Sequence, residues 1–200
     1  MSDETNDQDA RAASDLRHRM ANTFQLMSAL GRMRSQRAAE PEARRQLLWM
    51  ADAIGTLGAL ERHRTPQGVD FTAYLAEMAP VWRRRHASRR AEVRVSAIQL
   101  FAPDTAASTL ALIAQELVGN ALSHGYPEDR PGMVELSLLK TQDGRYELTV
   151  RDDGCGFAPG SPAARERFGL WFIRSLAAQV RGEFSLTSED GVTARLTFPL

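Results

Sequence analysis

The sequence predicts a helical hairpin followed by a two-layer α+β domain, and three observations carry that expectation. Apolar residues recur at helical spacing through Leu16, Met20, Phe24, Met27, Leu30 and Met33, and again through Leu47, Met50, Ile54 and Leu57. Beyond residue 90, alternating strands are punctuated by Gln142-Asp143-Gly144 and Glu189-Asp190-Gly191, both turn sequences. Amphipathic helices lie between those strands, which places helices on one face of a largely antiparallel sheet.

The elements follow in order. Met1–Ala13 is polar and acidic, and is expected to be a disordered tail. Ser14 or Asp15 caps the first helix, the stretch Ala38-Ala39-Glu40 ends it, and Pro41 suits the first turn of the second. Residues 14–64 therefore form an antiparallel helical hairpin. One hairpin buries too little apolar surface to stand alone, so two copies are expected to pair as a four-helix bundle, the alternative being docking on the rest of the chain. Residues 65–69, around Pro66 and Gly68, read as a linker to a domain over 70–200. There, Asp70–Arg90 is a helix with Phe71, Tyr74, Leu75, Met78 and Trp82 on one side, and Glu92–Leu100 is a strand. Thr105–His124 is a helix, and Met133–Lys140 and Arg145–Arg151 are strands. Leu170–Val180 is a helix, and Glu183–Thr187 with Thr193–Phe198 is a last hairpin.

Composition narrows the function. The 200 residues are 43% hydrophobic with a formal net charge of zero, a balance that excludes a dedicated nucleic-acid or polybasic membrane protein. The single cysteine, Cys155, excludes an internal disulfide or a multi-cysteine metal site. No apolar run approaches the ~20 residues of a membrane helix, and no signal-peptide core opens the chain. A cytoplasmic protein without membrane insertion is the expectation. The basic run Trp82–His86 with Arg89 and Arg90 reads as a solvated helix end, and His63 and His86 as surface residues.

Three motifs carry chemistry. In Asp15-Leu16-Arg17-His18-Arg19-Met20-Ala21-Asn22, His18 lies opposite the Leu16/Met20 seam and shares a solvent face with Asp15 and Asn22. A carboxylate holding one ring N–H fixes the tautomer and leaves the other nitrogen to attack phosphorus; the Asn22 amide would place a water or a partner's aspartyl phosphate. In Glu116-Leu117-Val118-Gly119-Asn120-Ala121, a carboxylate and an amide stand one helical turn apart. Asn120 suits Mg²⁺, Glu116 is placed either to orient a metal-bound water or to act as a base, and His124 continues the face toward phosphates. In Asp152-Asp153-Gly154-Cys155-Gly156, a carboxylate at a strand end can accept from the exocyclic amino group of adenine, and the glycines let backbone approach the base.

Over Asp15–Leu200 the chain resembles the two-component histidine kinases of the HisKA_2 type, near the HWE kinases, with a C-terminal part similar to the GHKL (Bergerat) ATPase fold of Hsp90, gyrase B and MutL. The resemblance implies that His18 is the phosphoacceptor with Asp15 and Asn22 as its neighbours, and that Glu116 and Asn120 are the base and Mg²⁺ ligand of the N-box. It implies that Asp152, Gly154 and Gly156 form the first glycine box, and that Phe168-Gly169-Leu170 is the second, with Gly169 backbone against phosphates at a helix start. Two departures stand out: Ser123 where the family usually carries lysine, and Arg167 where the second box often begins with glycine. Arg165 or Arg167, at the end of a short lid over 157–167, would supply the missing charge.

The resulting expectation is an ATP- and Mg²⁺-dependent histidine kinase core. It would phosphorylate His18, pass the group to an Asp of a response regulator receiver domain, act as a homodimer, and answer to a separate sensory or regulatory protein. One competitor is a histidine phosphotransfer protein or regulator phosphatase with a degenerate ATP site. The other is a GHKL ATPase or serine kinase of the anti-sigma type, in which His18 has no role.

Overall fold

The computed structural model describes residues 2–86, 90–126, 130–156 and 168–200, with side chains from Asp15 onward and excepting Phe168. The chain divides into two units, Met1–Val69 and Asp70–Leu200.

The first unit is built on α1 (Ser2–Arg37) and α2 (Pro41–Leu60), with Pro41 in the first turn of α2 as its preset φ favours. The helices run antiparallel, since Gly31 meets Ala51 while the earlier Phe24 meets the later Gly58. The expected disordered tail is corrected: helix runs through residues 2–13. Ala10, Arg11, Ala12 and Ala13 are strong helix formers, and extending an existing helix escapes the cost of nucleation.

Inside the hairpin the two helices meet through small residues. Among the described side chains of α1, Ala21, Ser28 and Ser35 are buried, and Ser28 and Ala21 lie against Ala51 and Gly58 of α2. A Cβ on Gly58 would lie 2.8 Å from Phe24 Cβ, and one on Gly31 3.0 Å from Ala51 Cβ. Small residues let the two backbones approach closely, and interaxial distance follows the side chains at the contact. Ser28 Oγ donates to the Ala51 carbonyl at 2.7 Å, and Arg32 pairs with Asp52, fixing the register. Leu16, Met20, Leu26, Met27, Leu30 and Met33 are consequently exposed. The proposed linker is a hairpin instead: after a 3₁₀ turn (Glu61–His63), β1 (Arg64–Thr65) pairs antiparallel with β2 (Gly68–Asp70). Thr65 Oγ1 donates to the Gly68 carbonyl at 2.7 Å, satisfying the turn locally.

The second unit opens with α3 (Phe71–Arg85), N-capped by Asp70, whose Oδ1 accepts the Ala73 N–H at 2.9 Å. Then come β3 (Ala91–Ala97), β4 (Phe101–Ala102), α4 (Asp104–His124), β5 (Gly132–Lys140), β6 (Tyr146–Asp152), α5 (Phe168–Gln179), β7 (Glu183–Thr187) and β8 (Val192–Phe198). The main sheet has the order β3-β5-β6-β8-β7. β3 and β5 are parallel, which requires the crossover that α4 supplies, and the remaining pairs are antiparallel. Cross-strand rows Leu136–Val150–Ala194 and Leu138–Leu148–Leu196 form the buried face. Phe71, Tyr74, Leu75, Met78 and Trp82 of α3, Leu110, Ile113 and Leu122 of α4, and Ile173 of α5 supply the helical half of that core. The opposite sheet face carries Glu135, Ser137, Thr149, Arg151 and Arg195, so the domain has two layers.

Candidate functional site

The site grows from the end of α4. Glu116 and Asn120 are half-buried one turn apart, and Asn120 Nδ2 donates to Glu116 Oε1 at 3.1 Å. One amide N–H is thereby engaged, and the Asn120 carbonyl oxygen remains an acceptor for a ligand. The first turn of α5 closes on this pair. A Cβ on Gly169 would stand 2.1 Å from Glu116 Oε1 and 3.5 Å from Asn120 Nδ2, so any larger residue there must displace the Glu116 carboxylate. Leu170, beside it, is half-buried. A helix N-terminus offers unpaired N–H groups and the positive end of the helix dipole, a setting for anions. Oxygen donors beside it suit a hard cation that keeps water and phosphate as its other ligands. Among the described residues no cluster of three or more His, Cys, Asp or Glu side chains forms a separate metal centre.

The second wall is the corner after β6. Asp152 is buried, and its Oδ1 accepts the Gly154 N–H at 2.9 Å and the Val192 N–H at 3.3 Å. Oδ2 has no partner among the described residues. Burial raises the Asp152 pKa, and the neighbouring Asp153 charge adds to this against the two N–H donors. Gly154 is packed on Gly125: a Cβ would sit 2.4 Å from the Gly125 carbonyl oxygen, which also accepts the Cys155 N–H at 2.8 Å. Gly156 holds a φ of +65, a conformation glycine adopts freely. Cys155 is exposed, and its Sγ lies 3.6 Å from the His124 carbonyl oxygen. His124 itself ends α4 as an exposed side chain.

Sequence reasoning missed the frame that holds this corner. Tyr126 is buried, and its hydroxyl lies between the Met133 carbonyl oxygen at 2.7 Å and Asp153 Oδ1 at 2.9 Å. Asp153 Oδ1 also accepts the Met133 N–H at 2.8 Å. Burial, then the bond to Asp153, pushes the Tyr126 pKa well up. Burial would raise Asp153 too, but the Met133 N–H and the Tyr126 hydroxyl outweigh it and hold the carboxylate below its ordinary range. Gly132 lies directly under the Tyr126 ring, where a Cβ would fall 1.8 Å from Cε1. The signal was present as two glycines and an aromatic flanking a strand, yet their partners are remote in sequence.

In the first unit His18 is exposed on α1, as expected. Asp15 is not its partner: the carboxylate pairs with Arg19 at 2.8 Å, one turn along. His18 and Asn22 have no hydrogen bond among the described residues. An exposed Asp meets the long Arg side chain at i+4 more readily than a ring at i+3 whose tip points to water. Arg165, Arg167 and the lid over 157–167 lie outside the described residues.

Residues 105–200 match the family described as histidine kinase-, DNA gyrase B-, and HSP90-like ATPase. Blue-light-activated histidine kinase 2 of Erythrobacter litoralis is 23% identical over 95% of this chain and 57% of its own length. Sensor histidine kinase PdtaS of Mycobacterium tuberculosis is 26% identical over 93% of this chain and 39% of its own. Anti-sigma F factor of Heyndrickxia coagulans is 43% identical, but over only 28% of this chain and 38% of its own. The chain thus spans between about two-fifths and three-fifths of these relatives. Among solved structures, the histidine kinase domain of an Erythrobacter litoralis blue-light activated kinase superposes with a TM-score of 0.70 at 20% identity, covering 90% of this chain and 96% of that one. Full-length ShkA in complex with AMPPNP gives 0.54 at 18% identity, covering 94% and 45%. Residues 105–200 thus match the histidine kinase-, DNA gyrase B-, and HSP90-like ATPase family, and the chain is folded like the histidine kinase domains.

Proposed function

We propose that the protein is an ATP-dependent histidine kinase that phosphorylates its own His18 and passes the group to an Asp of a response regulator. The observation that carries this reading is the convergence of Glu116, Asn120 and the Gly169 backbone at a helix start, with Asp152 at the neighbouring strand end. Asp152 Oδ2 would accept from the adenine amino group. The α5 N-terminus would hold phosphate oxygens, and the Asn120 carbonyl oxygen with the Glu116 carboxylate would hold Mg²⁺ directly or through water. Bound there, Mg²⁺ offsets negative charge on the transferring phosphoryl group. A neutral His18 nitrogen forms the N–P bond as the β–γ bridging P–O bond breaks, and ADP leaves.

The exposed Leu16, Met20, Met27 and Leu30 stripe supports pairing of two copies through α1, because apolar patches of this kind mark association surfaces. Among the described residues no helix is long and apolar enough to cross a membrane. Input through a separate sensory protein fits the same reading.

The test is incorporation of γ-labelled phosphate from ATP–Mg²⁺ into the full chain, with His18→Ala alongside. Acid-labile label that disappears in the variant is the expected result. Acid-stable label on a partner's serine would establish the anti-sigma type of activity, and absence of nucleotide binding would favour a phosphotransfer protein with a degenerate site.

Asp152→Asn separates recognition from stability. The raised pKa means the carboxyl favours the fold fully below its ordinary 3.8, and that contribution is lost as pH rises through the raised value. At neutral pH the buried charge is therefore unfavourable. The amide is expected to raise the thermal midpoint of the free protein while weakening ATP binding about a hundredfold, since an NH₂ would face the adenine NH₂. Scanning calorimetry and nucleotide titration read the two effects separately.

A further inference from the structure

His86, expected to be a surface residue, is half-buried at the C-cap of α3, and both ring nitrogens are engaged. Nδ1 lies 3.0 Å from the Trp82 carbonyl oxygen, and Nε2 lies 3.3 Å from Ser123 Oγ. A carbonyl oxygen only accepts, so Nδ1 carries the ring hydrogen. In the neutral ring Nε2 is then bare, and the Ser123 hydroxyl must donate to it. Ser123 Oγ is left with lone pairs alone toward its surroundings.

Ser123 follows Glu116 by seven residues and Asn120 by three, so the three share one stripe of α4. On Asn120, one N–H of the amide bonds to Glu116 Oε1. The stripe thus carries carboxylate, amide and hydroxyl oxygens that can accept. The ring that sets Ser123 is itself anchored, because α3 is tied to α4 by the buried Trp82 Nε1–Gln115 Oε1 bond of 2.8 Å.

We propose that His86 is a positioning residue of the Mg²⁺ site: by accepting the hydrogen bond of the Ser123 hydroxyl it leaves Ser123 Oγ as an acceptor for a water on the metal. Such an acceptor suits Mg²⁺, which keeps several of its waters and whose bound waters donate strongly. It does not suit direct contact with a phosphate oxygen, which also accepts. Ser123 therefore acts on the metal and leaves metal-free nucleotide alone. This rests on the ATP-binding reading above.

The experiment titrates Mg²⁺ into the full-length protein with the non-hydrolysable analogue AMPPNP, and measures analogue affinity again in EDTA. Ser123→Ala, His86→Ala and the double variant are compared with the unaltered protein, with circular dichroism to check folding. Each single variant is expected to raise the Mg²⁺ midpoint about tenfold. The double variant should add nothing to the singles, because one relay serves both residues, and affinity in EDTA should stay unchanged. An unchanged Mg²⁺ midpoint in Ser123→Ala overturns the proposal, as does an equal loss in EDTA. Ser123 is exposed, so its variant carries the test if His86→Ala unfolds. Failure of the unaltered protein to bind AMPPNP overturns the ATP reading and this inference together, whereas normal binding with indifferent variants overturns this inference alone.

Discussion

Gly169→Ala is expected to leave the protein folded and to reduce phosphate incorporation about a hundredfold or more. The added methyl would need the place of Glu116 Oε1, 2.1 Å away, with Glu116 Cδ at 3.1 Å. A carboxylate tip on a flexible side chain can swing aside, so the fold survives. The move costs the 3.1 Å bond to Asn120 Nδ2, and the amide then loses the partner that orients it. It also lifts the start of α5 away from the phosphates. Metal sites that lose an orienting partner weaken by about 10–100-fold, and loss of the helix-terminus contact adds to that. Labelled phosphate incorporation, AMPPNP titration and circular dichroism check the expectation. A variant with ordinary turnover would remove the Glu116–Asn120 pair from the mechanism.

Gly191→Ala is expected to destabilise the second unit strongly, by about 4 kcal/mol. Two costs combine there. Its φ of +112 lies where L side chains are strained, and a Cβ would fall 1.9 Å from the Asp152 carbonyl oxygen. That atom is backbone within the β6–β8 ladder, where Asp152 pairs with Val192, so it cannot move aside cheaply. A loss of this size is a large part of the ~5–15 kcal/mol that holds a typical domain folded. Gly144→Ala is the control: its φ is +84, but nothing lies within 4 Å of the new methyl, so backbone strain of about 1 kcal/mol is the whole effect. Urea denaturation of both variants measures the difference. Similar midpoints would mean that the Asp152 strand end yields more easily than its ladder implies.

What was legible in the residues was whatever depends on near neighbours. Phe71, Tyr74, Leu75, Met78 and Trp82 announce the buried side of α3, and all five are buried. The Gln142-Asp143-Gly144 turn announces the β5–β6 hairpin. Glu116 and Asn120 are one turn apart on any helix, so their pairing needs no tertiary information. Periodicity was less reliable on α1, because it identifies an apolar face without naming what covers it. The hairpin closes through Ala21, Ser28, Gly31 and Gly58 instead, since helix backbones come closest where side chains are smallest. The strands β1 and β2, of two and three residues, read as a linker in the sequence because elements that short leave no period to detect.

By itself, the sequence determined the order of the longer helices and strands and the spacing of Glu116 and Asn120 on one helix, because local spacing and turn chemistry act within a few residues. Only the tertiary structure decided how the groups of the site are aimed. His86 reached Ser123 from another helix, Tyr126 and Gly132 framed the glycine corner, and Val192 gave its N–H to Asp152. Each of these depends on what lies nearest once the chain is packed, which is set by the sheet register or by the contact of one helix or strand with another.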